Sequence, residues 1–374
     1  MFPPHPQCWP TLYDTSIATG RDLLEDQFRN MKSTVVDLRS DTVSQPTPEM
    51  RRVMMEAEVG DHVLGDDPTA NELESRCARL LEKDWALFMP SGTMANQVAL
   101  LIASRPGTEV VVDQGAHLVH FEEVGSAAWA GVQLRTVASS GVPDLGAIEA
   151  AVRAPGRFVP QTSLVCVENT HNSAGGRIVP VDRLAEIAEL AHDRGAAVHL
   201  DGARLPNAAV AAGREMGAWS RHADTVMLSL SKGLGAPVGS VLAGPSHLLE
   251  AAWRARRRLG GGMRQAGILA AAALFALDHN VPRLADDHAR AAQLTSRLAQ
   301  TPELRVSTPE TNIVMIEVSG PVSRTDYLVA KLAEQGVLLS RFGPTRLRAV
   351  THLGIDDRKL DMAVAAFQNV TIPP

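Results

Sequence analysis

Cysteine is scarce in this chain: there are three in 374 residues, Cys8, Cys77 and Cys166, and no two stand in C-x-x-C spacing. That excludes a disulfide framework, gives no zinc-binding pattern, and fits a reducing compartment. A basic excess is also missing, since 36 Lys and Arg face 42 Asp and Glu for a formal charge of −6. Such a balance lacks the electrostatic footprint of a nucleic-acid or anionic-membrane binder. No run approaches the roughly 18 uninterrupted apolar residues that a membrane-crossing helix needs. The opening stretch "MFPPHPQCWPTLYDTSIATGRDLLEDQFRN" has no basic segment followed by an apolar one, so it does not read as a secretory signal. A cytoplasmic location is expected, with no nucleic-acid partner, no membrane and no metal.

What the chain does have is apolar content, 45%, enough over this length to bury a sizeable core. Organised pattern begins after Met31, and residues 1–33 are expected to be a poorly ordered extension. In "DPTANELESRCARLLEKD", Thr69 and Glu72 have capping-box spacing ahead of an apolar stripe at Leu73, Cys77, Leu80 and Leu81, which predicts a helix. "ALFMPSGTMANQVALLIA" reads as a short strand, a small-residue turn at Ser91-Gly92-Thr93, and a helix whose inward face is Met94, Val98, Leu101 and Ile102. Short apolar runs at 109–113, 163–167, 196–200, 225–230 and 238–243 read as strands, with helical stretches such as "VDRLAEIAELAHDRG" among them. The alternation predicts an α/β chain with a mostly parallel sheet covered on both faces. Helical periodicity runs from Gly267 to about Leu298, and strand-like pieces return at 313–318 and 347–350. A large domain over 34–280 and a smaller C-terminal α/β domain over 281–374 follow.

In an open parallel sheet, ligands sit outside the carboxyl ends of the strands. The residues just after the runs are rich in reactive types: His117 after the first, Glu168, Asn169 and His171 after the second, Asp201 and Arg204 after the third, Lys232 after the fourth. Each alone has a bland explanation. Lys232 in "SLSKGLG" marks a turn, Asp201 caps a helix, and His117 and His171 are hydrogen-bonded structural histidines. Their joint ordering at successive strand ends answers the demands of one cofactor, pyridoxal 5′-phosphate. A phosphate wants free backbone N–H groups at a helix start, as Ser91-Gly92-Thr93 offers. A ring nitrogen that must stay protonated wants a carboxylate, Asp201. An aldehyde wants a desolvated lysine amine, Lys232, and the ring face wants a flat partner, His117. Arg204 has the planar fork for a phenolate or a carboxylate.

The motifs "DLRSDTVSQPTPEM", "GDHVLGDDPT", "PSGTMANQVAL", "ENTHN", "HLDGAR", "LSLSKGLGAPVGSVLAG", "GGGMRQAGILAAA" and "RLRAVTHLGI" resemble, in order from about Val35 to Asp361, those of the L-threonine aldolases. The resemblance implies the aspartate-aminotransferase-like fold (fold type I), with a mostly parallel seven-stranded sheet in the large domain, whose first residues pack with the small one. It implies cleavage of L-threonine, L-allo-threonine or related β-hydroxy-α-amino acids to glycine and an aldehyde, on pyridoxal phosphate. Lys232 matches the lysine that holds the cofactor, Asp201 the ring-nitrogen partner, and Gly92 and Thr93 the phosphate loop. His117 matches the stacked histidine and His171 a second active-site imidazole. Arg204, Arg348 and Ser40 match the groups that hold the substrate carboxylate, Arg204 reaching the cofactor as well. Arg264 matches an arginine that reaches the phosphate of a neighbouring subunit, which implies a homo-oligomer, a dimer of dimers. The base for the β-hydroxyl stays open among His117, His171 and a water they hold.

Two positions depart from the family. Leu64 stands where many members carry tyrosine, and Val119 and His120 where another aromatic is common. Both changes are expected near the substrate side chain, and they point to a preference for a bulkier or more apolar β-substituent than methyl. A transaldolase or a β-eliminating lyase would use the same Lys232 and Asp201.

Overall fold

The computed structural model describes residues 35–372, so the expected extension over 1–33 lies outside the described residues. Strand β1 (Val36–Asp37) opens it and pairs in parallel with a strand near the C-terminus, as given below. The main sheet is built from β2 (Trp85–Met89), β3 (Glu109–Asp113), β4 (Gln133–Val137), β5 (Thr162–Glu168), β6 (Ala197–Gly202), β7 (Thr225–Ser229) and β8 (Ser240–Gly244). Its seven strands run in the order β2-β8-β7-β6-β5-β3-β4, with every pair from β7 to β4 parallel and β8 antiparallel to both its neighbours.

The strands read as continuous apolar runs because both faces are covered. Val226, Leu228, Val241 and Ala243 point to one face, against the helices Pro68–Leu80, Val181–Asp193 and Gly267–His279. Met227 and Leu242 alternate to the other, against the helices Gly92–Ala103 and Leu249–Arg258. A second set of strands, β9 (Leu304–Val306), β10 (Ile313–Val318), β11 (Val337–Leu338), β12 (Ser340–Arg341) and β13 (Arg346–Val350), follows. Four of these form an antiparallel sheet in the order β12-β13-β10-β9, and β11 pairs with β1. This sheet has its own core, where Val314, Ile316 and Leu347 meet Leu294, Leu328 and Leu360 of three helices, and Val36 and Leu38 join it.

Two local expectations are corrected and a third is extended. The Pro68–Leu80 helix is capped by Asp67, whose carboxylate accepts from Ala70 N, with Pro68 at its first position; Thr69 instead donates to Glu58 O at 2.6 Å. Helix Gly92–Ala103 packs Met94, Val98, Leu101 and Ile102 on the core as expected, and it is buried more widely, over Ala95 to Leu100, because it is wedged between the sheet and helix Leu249–Arg258. The helical run from Gly267 to Leu298 is two helices, Gly267–His279 and Leu284–Leu298, parted by a turn containing Pro282.

Candidate active site

The strand ends on one side of the main sheet enclose a cavity of about 300 Å³, lined among others by Thr93, His117, Asp201, Arg204 and Lys232. A contiguous space of about 170 Å³ shares His117, Arg204 and Lys232 and adds Ser40, Phe121 and Arg348. The structure therefore brings together Gly92, Thr93, His117, Asp201, Arg204, Lys232, Ser40 and Arg348.

Ser91 caps helix Gly92–Ala103 by accepting from Met94 N at 3.1 Å. The first N–H groups of that helix then face the cavity with the positive end of the helix dipole, a ready anion site. One turn into the helix, Asn96 Nδ2 donates both to Asp201 Oδ2 (2.8 Å) and to Glu122 Oε1 (2.7 Å), while its Oδ1 faces His199 Nε2 at 3.1 Å. Asp201 also accepts from Ala203 N, so its carboxylate is held at the end of β6, where a protonated ring nitrogen needs it.

Lys232 stands in the turn after β7, closed by Gly235 N donating to Lys232 O at 2.8 Å. Gly235 has φ +79°, which a residue with a Cβ adopts only with strain. Burial pulls the Lys232 amine below its ordinary pKa, and the Arg204 charge pulls the same way against Asp201, Asp41 and Glu168. A desolvated amine beside a guanidinium is a nucleophile nearer neutral pH.

His117 N donates to Glu168 Oε2 at 2.7 Å, and its Nδ1 lies 2.9 Å from Glu122 Oε1. Burial alone would lower this imidazole's pKa; the Glu122 bond and the Asp201 and Glu122 charges outweigh it and raise the value. With Nδ1 engaged by the carboxylate, Nε2 is the nitrogen left for other chemistry.

Arg204 forms a bidentate pair with Asp41, Nε to Oδ2 and Nη2 to Oδ1, both 2.7 Å. Burial opposes the Asp41 charge, yet Arg204 holds that carboxyl well below the usual range. Arg348 is different. Its Nη1 donates to Asn172 Oδ1 (2.6 Å) and its Nη2 to Arg39 O (3.1 Å), but Nε is buried without a partner and the charge has no carboxylate within ion-pair distance among the described residues. Burial, then the Arg204 charge, bring Arg348 down to about 10. A buried guanidinium short of one anion is what a substrate carboxylate would complete.

Other candidates fall elsewhere. His171 is buried with Nε2 3.1 Å from Asp113 Oδ1, and it lines a different cavity of about 420 Å³ beside Ser139 and Gly141. Its N donates to Arg177 O, which turns the side chain to Asp113, and the next residue, Asn172, faces the two arginines instead. Arg264 is outside both site cavities, its side chain 64% exposed and paired with Asp61. Leu64 is 75% exposed and Val119 packs on the core beside β3, and neither lines the two site cavities within the single chain. Asp41, Asn96, Glu122, Asn172 and Phe342 were not foreseen. Asn96 alone left a trace, as a polar residue inside the otherwise apolar "ANQVALLIA".

The architecture is that of the aspartate-aminotransferase-like enzymes. A Thermus thermophilus aspartate aminotransferase superposes with a TM-score of 0.69 at 15% identity, covering 94% of this chain and 97% of that one. Leishmania major threonine aldolase gives 0.75 at 20% identity, with 89% and 98% covered. In sequence, residues 37–321 match the family model described as beta-eliminating lyase. Low-specificity L-threonine aldolase 1 of Arabidopsis thaliana is 42% identical over 345 residues, 90% of this chain and 96% of that protein. The chain belongs to the beta-eliminating lyase family and, within it, to the low-specificity L-threonine aldolases. Among the described residues no helix is long and apolar enough to cross a membrane.

Proposed function

We propose that the protein is a pyridoxal-phosphate-dependent aldolase that cleaves β-hydroxy-α-amino acids such as L-threonine and L-allo-threonine, reversibly, to glycine and an aldehyde. The observation that carries this reading is the convergence of a desolvated Lys232 amine, Asp201 and the unpaired Arg348 guanidinium on one site. The residues fit the cofactor: the start of helix Gly92–Ala103 for its phosphate, Asp201 for its ring nitrogen, His117 for its ring face, Lys232 for its aldehyde and Arg204 within reach of its phenolate. The bound cofactor supplies an electron sink for the pair left behind when Cα–Cβ breaks.

The chain's residues do the rest. Arg348, with Arg204 and Ser40, holds the substrate carboxylate and so fixes which bond at Cα can break. His117 takes the β-hydroxyl proton at Nε2 while Glu122 holds Nδ1, and His171, tied to Asp113, stays out of proton transfer. Arg264, exposed and outside its own chain's site, reaches the phosphate of a neighbouring subunit in a homotetramer built as a dimer of dimers. Residues 34–280 form the large domain and 281–374 the small one. The compartment is the cytoplasm, in keeping with the free buried thiols of Cys77 and Cys166.

The test is an absorbance spectrum of the purified protein beside Lys232→Ala, with product analysis on threonine and allo-threonine. The expected result is a visible cofactor band lost in the variant, and glycine plus aldehyde as products. Pyruvate and ammonia, or transfer to a second aldehyde without free glycine, would move the reading to a lyase or a transaldolase.

A further inference from the structure

The turn that carries Lys232 is held from behind by the C-terminal third of the chain. Gly233 and Gly235 flank Leu234, and each glycine sits where a Cβ would crowd a leucine, Leu284 Cδ2 at 2.9 Å for the first and Leu353 Cδ2 at 2.9 Å for the second. Leu284 opens helix Leu284–Leu298, and Leu353 lies just past β13, the strand that presents Arg348. Asn280 adds the one directional contact: its Nδ2 donates to Leu234 O at 2.7 Å. It stands at the end of helix Gly267–His279, its own N bonded to Ala276 O, where the chain passes from the large domain to the small one. Asn280 and Leu234 are both buried, so without that amide the Leu234 carbonyl would lose its partner away from water. Asn280 lines neither site cavity, so whatever it contributes to the reaction passes through the turn.

We propose that Asn280 is a positioning residue for Lys232: it fixes the turn from which the amine enters the site and, with Leu284 and Leu353, ties that turn to the segment carrying Arg348. The inference rests on the pyridoxal-phosphate reading above. A turn with two glycines is a loose support, because glycine has the most backbone freedom to give up on folding. An amine that must meet an aldehyde needs a fixed approach, since a misplacement of about 1 Å can cost on the order of a hundredfold in rate. The amide and the two leucines supply the rigidity that the glycines lack. Leu353 and Arg348 belong to one continuous stretch, so the group that takes the substrate carboxylate and the turn that holds the amine keep a common spacing.

The test is the rate at which the cofactor-free protein captures pyridoxal phosphate, followed across pH in the wild type, Asn280→Ala, Asn280→Asp and Leu353→Ala, with a urea midpoint for each. Asn280→Asp keeps the shape and presents no N–H to Leu234 O. The expected result at neutral pH is a capture rate lower by about tenfold in Asn280→Ala and at least as far in Asn280→Asp. The pH midpoint of capture moves up in both, because a loosened turn lets water back to the amine. The charged groups around that amine, Arg204, Arg348, Asp201, Asp41, Glu168 and His117, are the same in every variant. Leu353→Ala, at a half-buried position, leaves the Asn280 bond in place and shows the same changes to a lesser degree, which keeps the proposal testable if the Asn280 variants do not fold. Variants that unfold at lower urea yet capture the cofactor at the wild-type rate and midpoint would make Asn280 a helix end alone and overturn the proposal. A folded wild type that takes up no cofactor defeats the pyridoxal-phosphate reading itself, a separate outcome.

Discussion

Glu122 shows how one buried side chain sets the working state of a residue at the reaction centre. Its side chain is fully buried, and its two oxygens take Asn96 and Gln97 amides and His117 Nδ1. Asn96 spends its two N–H groups on Glu122 and Asp201, so one amide holds apart two carboxylates that serve opposite ends of the chemistry. Because His117 must be neutral to accept a proton and its pKa is raised, kcat/KM is expected to climb on a limb above about pH 6.5. Glu122→Gln keeps the shape and removes the charge, so that limb moves to lower pH. A full pH profile of the pair is the measurement, and an unmoved limb would show that His117 is not the titrating base. At this scale the sequence was legible only where a residue's place follows from the strand ends. Asp201, Arg204 and Lys232 lie there by register, whereas Asp41, 163 positions from its partner Arg204, carries no local mark of its pairing. Between the neighbours His171 and Asn172 the choice belongs to a turn whose bond to Arg177 no spacing encodes.

Elements were legible where periodicity is strong, and their ends were not. The strand Glu109–Asp113 appears with the bounds its apolar run gives, and the two-faced burial of the sheet follows from the same runs. The start of helix Pro68–Leu80 did not, because Thr69 and Glu72 have capping-box spacing while the cap is Asp67, two residues earlier. What decides the contest is tertiary: Asp67 Oδ1 accepts from Ala70 N and its Oδ2 from Gly267 N, so one buried carboxylate joins the starts of two helices. Asp67→Ala is therefore expected to cost about 2–4 kcal/mol, the loss of a cap plus a buried N–H left without a partner. Thr69→Ala, which removes one exposed hydroxyl bond, costs about 1 kcal/mol or less. Urea unfolding of both variants checks the order, and a costlier Thr69→Ala would restore the capping box.

For the whole molecule, six histidines with shifted pKa values divide into two groups with opposite effects on stability. His199 is buried between Asn96 and Thr225, and burial pulls it down to about 4; burial does the same to His288, also to about 4, and lowers His222 and His352. Between pH 6.5 and about 4 the unfolded chain binds protons at His199 and His288 that the folded one refuses, so stability falls as the pH falls, on the order of 3 kcal/mol from His199 alone. Asp287, pushed up to about 6 by burial, acts in the opposite sense over part of the same window and offsets part of the loss. His117 and His171 have raised values, so their contribution is complete below about pH 6.5 and is lost as the pH rises through their folded pKa. Stability should thus peak near pH 6–7 and decline on both sides. On the alkaline side the decline coincides with the rise in activity, since releasing the His117 proton creates the base and gives up its ionic tie to Glu122 at once. Urea midpoints from pH 4.5 to 9, with His199→Gln beside the wild type, read this directly. The variant should be less stable at pH 7 yet flatter between pH 6.5 and 4.5, and an acid limb equally steep in both would remove His199 from the account.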